Sequence, residues 1–215
     1  MPGRNDERAQ AFTLEGFIGS MLILTAVLFA LQSVIITPTT SGTVDRDVRA
    51  QHQTQANDIL QQAHNNGSLK YLVLNFDGED SDYYEGSERS DIGYGADPPP
   101  TQFGTMLNQT FNQRGKVYNV VVEYRCVATN DSNCEGAGGN ATVGVMRRNM
   151  VYRGVPSDNA VVATRMVTIY DNDTLPNYDG TVEDAAADPN YEFPVSDTAP
   201  NSTIYTVAEV RVVVW

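Results

Sequence analysis

The sequence predicts an α+β protein: a long N-terminal transmembrane and amphipathic helix, then an antiparallel β-sheet domain of about four strands with one short packing helix. Three observations carry this reading. Residues 16–37 contain no charged side chain. Residues 44–65 repeat apolar side chains near the 3.6-residue helical period. Four later stretches are rich in Val, Met, Thr and Tyr, and two of them alternate cleanly between apolar and polar positions, the signature of half-buried strands. The implied organisation is a leader over residues 1–10, a membrane-crossing helix over 11–37, a kinked amphipathic continuation over 38–65 and an acidic α+β domain over 66–215.

The apolar run GFIGSMLILTAVLFALQSVIIT is interrupted only by Ser20, Thr25, Gln32 and Ser33 among larger polar-capable side chains. As a helix it would extend about 33 Å, against roughly 30 Å for a hydrocarbon core. A secretory signal would have a shorter apolar region and a small-residue cleavage site, and Ile35, Ile36, Thr37 and Pro38 make a poor one. Small residues at Gly16, Gly19, Ser20, Ala26 and Ala30 would let helices approach closely. Pro38 ends or kinks the run because it lacks an N–H and clashes with the preceding turn.

Beyond it, Thr43 can cap a second helix, with Asp45 and Asp47 near its positive end. Val44, Val48, Ala56, Ile59, Leu60 and Ala63 form its stripe, and Gly67 closes it. Residues 69–76 are a short apolar run with no clear period. Residues 77–100 read as a loop rich in Asp, Gly, Ser and Tyr, too polar for core. Residues 101–114 read as a short helix with Phe103, Met106, Leu107 and Phe111 on one face, stopped by Gly115. Strands follow over residues 117–126, 142–152, 161–170 and 205–215. The first places Tyr118, Val120, Val122, Tyr124 and Cys126 on one side; the last does the same with Ala208, Val210, Val212 and Val214.

The net charge of −13 and pI near 4.4 disfavour nucleic acid as a partner. Only Lys70 and Lys116 are lysines among the 14 basic residues. Abundant acid with scarce lysine suits a halophile, since the Debye length falls to about 3 Å at 1 M salt and self-repulsion fades. Arg4 and Arg8 precede the apolar run and Arg46 and Arg49 follow it, so flanking charge does not orient it. Two features place the later domain outside the cell, with the N-terminus cytoplasmic. Six N-x-Ser/Thr acceptors begin at Asn66, Asn108, Asn130, Asn140, Asn172 and Asn201. Cys126 and Cys134 stand close together in an otherwise cysteine-free chain, a pair suited to a disulfide in an oxidising compartment.

No catalytic or cofactor pattern emerges. His52 and His64 are not in an HExxH arrangement, the cysteines do not form CxxC, and there is no GxSxG or phosphate-binding glycine loop. Two acidic loops, Asp77, Glu79, Asp80 and Asp82 in one and Asp171, Asp173 and Asp179 in the other, lack the twelve-residue calcium-loop pattern. The reading is of a non-enzymatic protein with no cofactor and no bound metal.

The junction Arg8-Ala9-Gln10-Ala11-Phe12-Thr13-Leu14-Glu15 is a short polar leader running into an apolar helix with one carboxylate at its start. It looks like the junction of type IV prepilins, and the whole N-terminus resembles pilin-like proteins of halophilic archaea. The resemblance covers residues 8–37. It implies removal of the leader by a prepilin peptidase within Ala9, Gln10 and Ala11, although no glycine precedes the cut. It also implies that Phe12, Leu14 and Glu15 form an assembly site, with Glu15 pairing the free amine of a neighbouring pilin-like subunit. A structural subunit of a surface filament or secretion system is the function that follows, held at the cell surface in contact with membrane lipid. A signal-anchored surface protein that binds a ligand, without a filament role, is the alternative.

Overall fold

The computed structural model describes residues 4–32, 39–78, 84–127, 134–135 and 143–215. The side chains of the first two helices are described over 13–29 and from 46 onward. The chain divides into two compact units, Met1–Asp45 and Arg46–Trp215.

The first unit is dominated by helix α1 (Arg4–Gln32). Its sequence is rich in the straight-chain and Ala residues that lose least freedom in a helix. The expectation of a membrane-crossing helix over 11–37 is corrected here. Among the described residues no helix is long and apolar enough to cross a membrane. Pro38 and the rest of the segment 33–38 lie outside the described residues.

Helix α2 (Thr39–Asn65) crosses the division between the units. It begins four residues before the expected Thr43 cap. Its stripe is also shorter than the periodicity suggests: Ala56, Ile59, Leu60 and Ala63 are buried, whereas Val48 is exposed. Gly67 closes the helix at φ 78°, a left-handed conformation open to glycine at little cost.

The apolar run that follows is helical: α3 (Ser68–Val73) buries Leu69, Leu72 and Val73. Helix α4 (Gln102–Thr110) is capped by Thr101, whose hydroxyl accepts the Gly104 N–H. Phe103, Leu107 and Phe111 are buried as the spacing predicts, with Met106 packed at their margin. A single 3₁₀ turn (Asn112–Arg114) ends at Gly115.

The sheet contains β1 (Tyr118–Val127), β2 (Val143–Val151), β3 (Val161–Tyr170) and β4 (Ile204–Val214). All pairs are antiparallel, in the spatial order β2-β1-β4-β3. The alternation read from the sequence is the alternation observed. The β1 and β4 residues expected on one face are all buried. The opposite face carries Glu123, paired with Arg147 at 3.0 Å and Arg211 at 3.4 Å. Between β3 and β4 lies a helix that the hydrophobic pattern gave no sign of, α5 (Val182–Ala187). It starts with a reciprocal capping box between Thr181 and Asp184. The two hydrogen bonds from Thr181 hold the Asp184 carboxyl below its ordinary pKa.

The loop judged too polar for core contributes to it. Tyr84 and Tyr94 are buried. The Tyr84 and Tyr124 hydroxyls lie 3.1 Å apart, and Tyr124 donates to the Val73 carbonyl at 2.7 Å. Each phenol keeps its hydroxyl satisfied, which is the condition for burying it. The same loop covers the outer edge of β2, where Tyr94 N–H donates to Met150 O and Tyr152 N–H to Ile92 O. Gly93 permits this approach. Its φ is 61°, and a Cβ there would stand 2.2 Å from the Met150 carbonyl oxygen.

The disulfide between Cys126 and Cys134 is formed. It brings the next residue, Glu135, onto the same edge, where Glu135 and Val145 exchange backbone hydrogen bonds of 2.9 and 2.8 Å. An edge strand covered in this way is a poor template for unwanted pairing.

Candidate assembly site

Helix α1 carries ten large apolar side chains with about half or more of their surface open: Leu14, Phe17, Ile18, Met21, Leu22, Ile23, Leu24, Val27, Leu28 and Phe29, at 49–79% exposure. Residues 21–24 are four successive members of this set. At about 100° per residue they point to all sides of the helix. An amphipathic surface helix would bury one stripe of such a set on its own domain. Here no side chain described over 13–29 is buried.

Covering the remaining apolar surface would contribute on the order of 10–20 kcal/mol. That is comparable with, or above, the rigid-body cost of association. A contiguous surface of this kind marks an interaction site.

The polar groups on the helix fit an apolar environment. The Ser20 hydroxyl donates to the Phe17 carbonyl at 2.8 Å, and Thr25 donates to Met21 O at 2.6 Å. Both are satisfied inside their own helix. Gly16 and Gly19 have open space where a Cβ would stand, with nothing within 4 Å. Helical glycine costs about 1 kcal/mol relative to alanine. Among the described residues no packing accounts for that cost, whereas close approach of a second helix would.

Among the described residues Glu15 is exposed and has no hydrogen-bond or ion-pair partner. It lies one turn below Ile18 and Gly19, at the start of the apolar surface.

Of the residues expected to act in assembly, Leu14 and Glu15 are exposed on α1. Phe12, Ala9, Gln10 and Ala11 lie within the same continuous helix, and their side chains lie outside the described residues. The sequence reading counted Gly16 and Gly19 as small residues; their open surroundings are what the structure adds.

The other sequence features are dispersed. His52 Nδ1 lies 3.4 Å from the Gln55 side-chain oxygen, and its ring meets Phe111 edge-on. His64 is exposed on the last turn of the same helix. Asp173 is engaged by Lys70 at 2.6 Å and accepts the Tyr170 N–H at 2.7 Å. Glu79, Asp80 and Asp82 lie outside the described residues, as do Asn130 and Asn140. Among the described residues no cluster of three or more His, Cys, Asp or Glu side chains is placed to hold a metal ion.

Fold and site together define a class: a disulfide-bonded α+β unit preceded by a helix whose described apolar side chains are exposed. The chain belongs to the family of unknown function DUF7288, whose sequence profile matches residues 8–214. The match begins inside α1 and runs through the last strand, so helix and sheet belong to one family architecture. No curated protein and no solved structure matches the chain.

Proposed function

We propose that the chain is a structural subunit of a surface filament or secretion assembly of the type IV pilin-like kind. Copies associate through α1, and the sheet unit is displayed outside the cell. The observation that carries this reading is the ring of exposed apolar side chains on α1. Identical helices bundled together would cover that surface, and Gly16 and Gly19 would let their backbones approach. Glu15 has a role in such a bundle. A carboxylate among apolar helices needs a cation, and a free N-terminal amine on a neighbouring subunit, exposed by a cut within residues 9–11, would supply one. The disulfide supports display in an oxidising compartment.

The test is mass spectrometry of the chain recovered from sheared surface material. The expected result is a new N-terminus at Gln10 or Ala11 in rapidly sedimenting particles. An intact Met1 in those particles, or a cut after Thr37, would overturn the proposal. The variant Glu15→Ala should leave the sheet unit folded and abolish sedimentation.

A further inference from the structure

The N-x-Ser/Thr acceptors lie outside α1 in the sequence, and the fold separates those among the described residues. Strand β3 ends at Tyr170, which pairs with Ile204 at the start of β4. Just past that pair the Asp171 N–H donates to the Thr203 carbonyl at 3.3 Å. This bond ties the residue before Asn172 to the hydroxyl-bearing residue of the Asn201 acceptor. Asn172-Asp-Thr174 and Asn201-Ser-Thr203 therefore sit side by side at one end of the sheet. Asn172, Thr174, Asn201 and Thr203 are all exposed. Among the described residues neither asparagine carboxamide has a hydrogen-bond partner.

The other two described acceptors are built differently. Asn108 lies inside α4, half-buried, and its carboxamide oxygen accepts a hydrogen bond from Asn112 at 2.8 Å. A helix turns residues i and i+2 away from each other. The Thr110 hydroxyl therefore cannot reach the Asn108 amide. Asn66 is exposed, but both ends of its carboxamide are used: Nδ2 donates to Gln102 at 3.0 Å, and Oδ1 accepts the Ser68 N–H at 2.9 Å.

We infer that Asn172 and Asn201 carry N-linked glycans, forming a sugar-covered end of the sheet unit, and that Asn108 does not. In the transfer, a glycosyl group leaves a lipid-linked phosphate donor. Its anomeric carbon bonds the Asn Nδ2, the amide gives up one proton, and the lipid phosphate departs. Glycans at this end would stay clear of the opposite end of β3. Within the same unit, Gln53 donates to the Val162 carbonyl at the other end of β3. The sugars would therefore shield this end of the unit and leave the Val162 end of β3 uncovered. The inference rests on the surface reading only through export of the chain.

The experiment is glycopeptide mass spectrometry of the full-length chain from its source cells, combined with labelling of intact cells by an amine reagent that does not cross membranes. The expected result is a labelled chain with glycan on the Asn172 and Asn201 peptides and none on the Asn108 peptide. The double variant Asn172→Gln, Asn201→Gln should lose the mass of two glycans and still reach the surface. A labelled chain with both asparagines bare, or with sugar on Asn108 instead, would overturn the inference and leave the surface reading standing. A bare and unlabelled chain would overturn both.

Discussion

Helix α1 and the sheet unit use the same kinds of side chain in opposite ways. In the sheet unit Phe103, Leu107, Phe111 and Val122 are sealed from solvent by their own chain. In α1 Phe17, Leu22, Leu24 and Phe29 remain 62–79% exposed. The difference lies in how the residues are arranged. The apolar residues of the sheet and of α4 recur on one face, which a neighbouring element can cover. Those of α1 surround the helix, and no single layer in the same chain could cover them all. The contrast teaches that apolar content stabilises the sheet unit from within, whereas on α1, under the function we propose, it would serve association.

The strongest way to break the comparison is to delete one phenyl ring in each region. Phe111→Ala removes a buried ring packed near Tyr118. It should cost about 3–5 kcal/mol of unfolding free energy, the usual range for a large core deletion. Phe29→Ala removes a ring that is 79% exposed. It should change unfolding by no more than about 0.5 kcal/mol while measurably weakening self-association. Denaturant unfolding and sedimentation of the same two variants would show this. Equal effects on unfolding would mean that the division of labour is wrong.

The disulfide comes next. Replacing Cys126 and Cys134 with serine should destabilise the sheet unit by about 2–3 kcal/mol, the chain-entropy value for so short a loop. It should also loosen the Glu135–Val145 bonds that cover the edge of β2. Faster hydrogen exchange at Val145 N–H would report that loosening. Helix α1 belongs to the other compact unit, so its association should be unchanged. A loss of association in the serine variant would mean that the two regions are coupled.

The same contrast explains what could be read from the sequence. The strands were legible because alternation is a local property, written in consecutive residues such as Tyr118, Val120 and Val122. The stop signals at Gly67 and Gly115 were legible for the same reason. Burial of Tyr84 was not. Its hydroxyl partner is Tyr124, forty residues away, so a loop dense in Asp and Gly hid a core residue. Helix α3 was ambiguous because six residues are too few to separate a helical period from a strand. Helix α5 left only its capping pair as a signal. In the site, the apolar run and Glu15 were plain from composition. The openness around Gly16 and Gly19 became visible only once the chain was seen to leave them uncovered.

A smaller effect, confined to the sheet unit, concerns pH. Burial pushes the Tyr94 phenol up to about 12, with the Asn75 hydrogen bond opposing it. A folded-state pKa above the ordinary value near 10 means that the folded state resists ionisation. The corresponding stability is fully present below pH 10 and is lost as pH rises through about 12. Burial raises Tyr84 and Tyr124 in the same direction. The unit should therefore unfold in alkali, with phenolate absorbance appearing together with loss of structure. Tyr94→Phe removes a hydroxyl that donates to Glu85 O at 2.9 Å and accepts from Asn75 at 3.2 Å. It should cost about 1–2 kcal/mol at neutral pH and make the alkaline loss shallower.

The smallest effect on unfolding separates the two regions most cleanly, because it predicts opposite signs in one variant. Gly19 sits in the middle of α1 with open space around it. Gly19→Ala should therefore meet no clash within the chain and should raise helix stability by up to about 1 kcal/mol through propensity alone. If Gly19 faces a neighbouring helix, the added methyl pushes the two backbones apart, and Gly19→Leu pushes them further. Helix content of the dispersed chain, read by circular dichroism, should then rise or hold while sedimentation of the assembled form falls, more for leucine than for alanine. A rise in both would show that Gly19 lies away from any helix–helix contact.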